Sequence, residues 1–137
     1  MRVTPPEPRV LAPRALVADD DLKVRSTMVR MIQSLGFTCL EAGSGEEALA
    51  LLENEGEVPL VISDINMPGM DGLTLLGEIK QRWPELPVMM VTAYGDDERR
   101  RRASEYGAAD FVTKPVDFEN LKRQLQQFAP PRAEAKA

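Results

Sequence analysis

Short apolar runs alternate five times with stretches of helical period along this chain, and no other feature restricts its fold as much. Ala15-Leu16-Val17-Ala18 reads as a buried strand that ends abruptly in Asp19-Asp20-Asp21. Val24, Met28, Met31, Ile32 and Leu35 then recur at helical spacing, and Gly36 is placed as the stop. Phe37 to Glu41 is a second strand. Ser44 with Glu47 three residues on is a capping-box pattern ahead of Ala48, Leu51 and Leu52. Val58 to Ser63, with Pro59 at its start, is a third strand, apolar enough to be covered on both faces.

The pattern continues to the end. Gly72 opens a helix with Leu75, Leu76, Ile79 and Trp83 on one side, closed before Pro84. Val88 to Thr92 is the fourth strand. Asp96 or Asp97 caps a polar helix that carries four consecutive arginines, Arg99 to Arg102, and stops at Gly107. Phe111-Val112 is a short fifth strand, and Asp117 caps a last helix with Phe118, Leu121, Leu125 and Phe128 on one face. Five strands each followed by a helix demand an α/β fold with a mostly parallel sheet and helices on both faces. In such sheets ligands bind beyond the carboxyl ends of the strands. Reactive side chains are therefore expected there.

Composition restricts what those side chains can be. The 137 residues suffice for one domain, and 43% hydrophobic residues supply a core that is mainly aliphatic, since aromatics reach only 5%. Seventeen basic residues against 22 acidic give a net charge of −5, which argues against direct binding of nucleic acid or an anionic membrane. There is no histidine, so a Ser-His-Asp triad, a Cys-His pair and a His-ligated metal are excluded. The single Cys39 has no internal disulfide partner and reads as a buried structural thiol. No apolar run reaches the length of a membrane span and no signal-peptide core is present, which together imply a cytoplasmic protein. Met1 to Pro13, with four prolines, reads as a disordered or extended lead-in, residues 14–128 as the domain, and residues 129–137 as a tail or the start of a linker.

Carboxylates, hydroxyls and lysine are left to carry any chemistry. The first strand ends at Asp19-Asp20, the third at Asp64, the fourth at Thr92 and the fifth at Lys114. Carboxylates brought together raise one another's pKa unless a cation joins them, and oxygen ligands alone suit Mg2+. A carboxylate, a hydroxyl donor and a lysine around such an ion form a phosphoryl-transfer arrangement, with the carboxylate available as nucleophile. Taken singly, each element has a plainer explanation. Acids after a strand cap helices, a threonine in a strand is ordinary, and a lysine before proline is a loop residue. It is their joint placement after four strands of one βα succession that selects the chemical reading.

Leu16-Val17-Ala18-Asp19-Asp20-Asp21, Val61-Ile62-Ser63-Asp64-Ile65-Asn66-Met67-Pro68-Gly69-Met70-Asp71-Gly72, Val91-Thr92-Ala93 and Phe111-Val112-Thr113-Lys114-Pro115 resemble the receiver domains of two-component response regulators, the single-domain chemotaxis regulators among them. The resemblance covers about Arg14 to Phe128. It implies a flavodoxin-like doubly wound five-stranded sheet in the order 2-1-3-4-5. It also implies roles: Asp64 as phosphoacceptor, Asp19 and Asp20 as the acid pair holding Mg2+ together with Asp64, and the backbone carbonyl of Asn66 as a further ligand. Thr92 and Lys114 are then the phosphoryl-oxygen contacts, and Phe111 with Thr92 forms the switch. A cis Lys114–Pro115 peptide aiming the lysine inward is implied too, and Arg25 fits the family's first helix.

The implied partners are a histidine kinase or phosphotransfer protein as donor, and an output domain or partner protein at the face of the fourth helix, fifth strand and fifth helix. Homodimerisation is left open. The domain is regulatory, not an enzyme acting on other molecules, although it catalyses its own phosphorylation and dephosphorylation. Tyr94, two residues after Thr92, either slows hydrolysis by its bulk or is simply a surface residue. Arg99 to Arg102 read as a solvated helix face, with an acidic-partner patch as the sharper alternative. A haloacid-dehalogenase-type phosphatase shares the residue types but places its nucleophile after the first strand, with a second Asp two residues on, where Asn66 follows Asp64 here. A receiver that never accepts phosphate is the other alternative. The intact set of Asp19, Asp20, Asp64, Thr92 and Lys114 argues against it, because buried charge with no use is costly.

Overall fold

A computed structural model describes residues 13–128. The expected lead-in and tail therefore lie outside the described residues, save for Pro13. Five strands alternate with five helices: β1 Arg14–Ala18, α1 Leu22–Ser34, β2 Thr38–Ala42, α2 Gly45–Asn54, β3 Leu60–Asp64, α3 Gly72–Arg82, β4 Val88–Thr92, α4 Asp97–Glu105, β5 Asp110–Thr113 and α5 Phe118–Leu125. All four strand pairings are parallel and the order is β2-β1-β3-β4-β5, as the resemblance implied.

Alternate residues of each central strand face opposite sides of the sheet and so build two cores. Leu16, Val61, Val88 and Met90 pack with Ala48 and Leu52 of α2, Leu76 and Ile79 of α3, and Ala103 of α4. Ala15, Val17, Ile62, Met89 and Val91 pack with Met28 and Ile32 of α1 and Leu121 and Leu125 of α5. Every residue of β3 and β4 is buried, which explains why both read as unbroken apolar runs. No helix among the described residues is long and apolar enough to cross a membrane.

Short polar side chains start all five helices. Asp21, Ser44, Asp71, Asp96 and Asp117 each accept a hydrogen bond from a backbone N–H in the first turn. Of the two candidates before α4, Asp96 is the cap and Asp97 the first helical residue. The capping box differs in one half. Ser44 accepts from Glu47 N–H as expected, but the Glu47 carboxylate takes the N–H of Gly43, one residue before the cap.

Other expectations shift at their edges. Phe37 is buried but precedes β2, Val58 and Pro59 precede β3, and α5 ends at Leu125, with Phe128 folded back against the core. Cys39 is a clearer correction. β2 is an edge strand, so the thiol is half-buried where a buried one was expected. Burial first, and then Glu41, still pushes its pKa up to about 11, which leaves it unsuited to nucleophilic work.

Candidate functional site

Parallel register assembles the strand-end side chains at one edge. Ala18 pairs with Ser63, which sets Asp19 beside Asp64. Asp64 pairs with Val91, one residue before Thr92, and Thr92 pairs with Thr113, one residue before Lys114. The Lys114–Pro115 peptide is cis, and Lys114 Nζ lies 3.3 Å from Asp64 Oδ1. Asp19, Asp20 and Asp64 each offer a carboxylate oxygen within 4.8 Å of the others. Asp19 is 1% exposed, Asp64 5% and Thr92 1%, whereas Asp20 faces solvent.

Each buried carboxylate is constrained differently. Asp19 donates its N–H to Ala42 O (3.0 Å), its carbonyl accepts from Arg25 Nη1 (2.8 Å), and its Oδ1 accepts from Asp21 N–H (2.9 Å). Only Oδ2 is left free. Among the described residues, Asp19 Oδ2 and Thr92 Oγ1 are the buried side-chain atoms without a hydrogen-bond partner. Burial pushes the Asp19 carboxyl above the ordinary carboxylate range, opposed by the Asp21 N–H and Lys114, with Asp20 and Asp21 adding to the rise. Asp64 is raised by burial and then by Asp19, with the Lys114 ammonium opposing. Three acids thus face one lysine. An all-oxygen donor set with an orphaned, oriented lone pair fits a hard divalent cation such as Mg2+.

The remaining expected residues stand around this cluster. Asn66 is exposed on the loop after β3, and its side-chain oxygen accepts from the Arg99 guanidinium. Phe111 is half-buried in β5. Its carbonyl accepts from Gln124 Nε2 at 2.6 Å, and the guanidinium of Arg100 lies over its ring at 4.7 Å from the centroid. Tyr94 is 88% exposed, which agrees with the plainer reading of it as a surface residue.

The arginine run is less uniform than a solvated face. Arg101 does pair outward, with Glu98 and Glu105. Arg99 and Arg100 instead reach the loop after Asp64 and the Phe111 ring. Two further contributions were not foreseen. Arg25 bridges the Asp19 carbonyl and Glu41 (3.0 Å), a link no local spacing announces. Gly72 sits so close to β3 that a Cβ there would lie 2.2 Å from the Asp64 carbonyl oxygen. Its position eight residues after Asp64, at the head of an amphipathic helix, was the available signal.

A doubly wound sheet in this order, with an acid cluster, a threonine and a lysine beyond its carboxyl ends, defines the receiver class of α/β domain. Residues 15–126 match the response regulator receiver domain family. The chain is 43% identical over 103 residues to the DNA-binding transcriptional regulator NtrC of Salmonella typhimurium, covering 75% of this chain and 22% of that protein. It is 42% identical over 111 residues to the response regulator protein FleR of Pseudomonas aeruginosa, covering 81% and 23%. The solved receiver domain of NtrX from Brucella abortus superposes with a TM-score of 0.78 at 34% identity, covering 82% of this chain and 95% of that one. This chain belongs to the response regulator receiver domain family of two-component signalling. It spans roughly a fifth to a quarter of the length of these two curated relatives.

Proposed function

We propose that Asp64 accepts a phosphoryl group from a histidine kinase or phosphotransfer protein, in a Mg2+-dependent reaction that changes the output surface of the domain. The observation that carries this reading is the convergence of Asp19, Asp20 and Asp64 within 4.8 Å, with Lys114 Nζ 3.3 Å from Asp64. An ionised Asp64 oxygen forms the new bond to phosphorus as the bond to the donor nitrogen breaks, and the electron pair leaves with the donor imidazole. Lys114 neutralises charge on the transferring oxygens, and the unpartnered Thr92 hydroxyl is free to donate to one of them. Asp19, Asp20, Asp64 and the Asn66 carbonyl would hold Mg2+, which supplies further neutralisation of the phosphoryl oxygens when bound.

The product adds roughly −1.5 to −2 of charge beside Lys114. Thr92 is drawn toward it, Phe111 turns into the space released, and the face of α4, β5 and α5 changes population. That face would meet an output domain or partner protein. Any nucleic-acid contact belongs to such an output part. Residues 14–128 form the receiver unit, with 1–13 a lead-in and 129–137 a tail or linker start, and the setting is cytoplasmic. The chain catalyses its own phosphorylation and dephosphorylation. Lacking histidine, it is no phosphohistidine donor itself.

Intact-mass measurement after incubation with acetyl phosphate and Mg2+ tests the assignment. One phosphoryl group is expected on the wild type and none on Asp64→Asn. Equal modification of both would refute Asp64 as acceptor, and none on either would favour a receiver that only binds partners.

A further inference from the structure

Helix α4 has the fewest buried residues of the five helices. It buries a single residue, Ala103, and nearly every other position is charged or polar. Its four arginines make different contacts. Arg101 is satisfied on its own helix by Glu98 and Glu105, and Arg102 lines the groove toward α3. Arg100 crosses to β5, where its guanidinium lies over the Phe111 ring at 4.7 Å and its Nη1 is 3.4 Å from Thr113 Oγ1.

Phe111 has no hydroxyl, so no hydrogen bond can hold its ring in either orientation. Its backbone is fixed by Gln124 of α5, which leaves the side-chain torsion as the free variable. A guanidinium over the ring face favours the orientation that presents that face to α4. The ring is already partly packed against the core on the α2–α3–α4 side. If it turns deeper the cation cannot follow, because burying an unpaired guanidinium in the core is far costlier than the contact it would keep.

We propose that Arg100 is a positioning residue for Phe111: lying over the ring and reaching Thr113, it holds the ring in the orientation seen in the structure and so sets how readily the α4–β5–α5 face switches. The proposal rests on the phosphoacceptor reading given above. A ligand that favours the switched state works against the latch, so its apparent affinity reports the latch strength. A cation–π contact at an exposed site corresponds to a factor of about two to five.

The test uses beryllofluoride with Mg2+ as a mimic of the phosphorylated aspartate. Its affinity is measured by calorimetry for the wild type, Arg100→Gln, Arg100→Lys and Arg101→Gln, and phenylalanine ring resonances are followed by NMR. Arg100→Gln is expected to bind the mimic about two- to fivefold more tightly. Its mimic-free Phe111 resonance should move toward the bound position. Arg100→Lys should fall between it and the wild type, and Arg101→Gln should match the wild type. Equal affinities in Arg100→Gln and Arg101→Gln, with the Phe111 resonance unmoved, would overturn the proposal. So would weaker binding by Arg100→Gln. Mimic binding that is absent from the wild type, or that survives Asp64→Asn, would defeat the phosphoacceptor reading and this proposal with it.

Discussion

Asp19 shows how local hydrogen bonds leave one buried carboxylate oxygen free for the proposed cation. Its N–H, its carbonyl and its Oδ1 are each committed to a different neighbour, so the remaining Oδ2 has one direction to face. Arg25 is the long-range member of that set. Its side chain is only 16% exposed, and it also pairs with Glu41. Groups that orient metal ligands commonly matter about 10- to 100-fold in affinity. Arg25→Gln should therefore weaken Mg2+ binding about tenfold by calorimetry, at the lower end because it acts through a backbone carbonyl, while Arg25→Lys retains part of the loss. Unchanged Mg2+ affinity in Arg25→Gln would show that Asp19 is held well enough without it. The acids, Thr92 and Lys114 were legible from sequence because strand ends of a parallel sheet share one edge, so order along the chain suffices to place them. The work of Arg25 was not legible, since its partners Asp19 and Glu41 meet only once β1 and β2 have paired in register.

Among the elements, α3 is seated most directly by the site. Gly72 donates its N–H to Ile65 O at 2.9 Å, and a Cβ there would sit 2.2 Å from Asp64 O and 2.6 Å from Ile65 Cα. These obstacles are backbone atoms of the strand end that carries Asp64, so a methyl group must displace α3 or the site. Gly45 opens α2 in a similar position, but the three atoms nearest its added Cβ, from 2.8 Å, all belong to the Met70 side chain, which can rotate away. Gly72→Ala is expected to cost at least about 2 kcal/mol of unfolding free energy in urea, in the range of overpacked cores. Gly45→Ala should cost less than about 1 kcal/mol, because alanine's better helix propensity offsets a small rearrangement. Equal losses would mean that the closeness to Asp64 carries no penalty. The βα alternation itself was readable because apolar runs in buried parallel strands and 3.6-residue periods differ plainly. The element ends drifted by one to three residues, most at α5, which ends at Leu125 and not at Phe128. The contacts of α4 were hidden: four identical arginines give no sequence signal for which one finds the Phe111 ring.

For the whole molecule, the buried carboxylates of the site cost stability, and the proposed cation would offset that cost. Asp19 and Asp64 both have folded-state pKa values raised above the ordinary value, chiefly by burial. Between the unfolded and folded pKa values the native state thus binds more protons than the unfolded one. The contribution of these two groups to stability therefore falls as pH rises through that window, and stays unfavourable at neutral pH. This is the reverse of an aspartate whose pKa a salt bridge holds below the ordinary value. Asp19→Asn keeps an oxygen for the Asp21 N–H and removes the charge. Without Mg2+ at neutral pH it should melt above the wild type by about 4 °C, the shift expected for roughly 1 kcal/mol in a domain of this size. The gap should close as pH falls through the raised folded-state pKa toward about 4, the ordinary aspartate value. Millimolar Mg2+ should raise the wild-type melting temperature at neutral pH through ligand linkage and do little for Asp19→Asn, so that the order of the two proteins narrows or inverts. Its increment on the wild type should shrink on acidification, because protons and the cation compete for the same oxygens. Thermal melts of both proteins across pH, with and without Mg2+, separate these outcomes. A wild type that is already the more stable protein at neutral pH without Mg2+ would show that Lys114 and the Asp21 N–H compensate the buried charge in full.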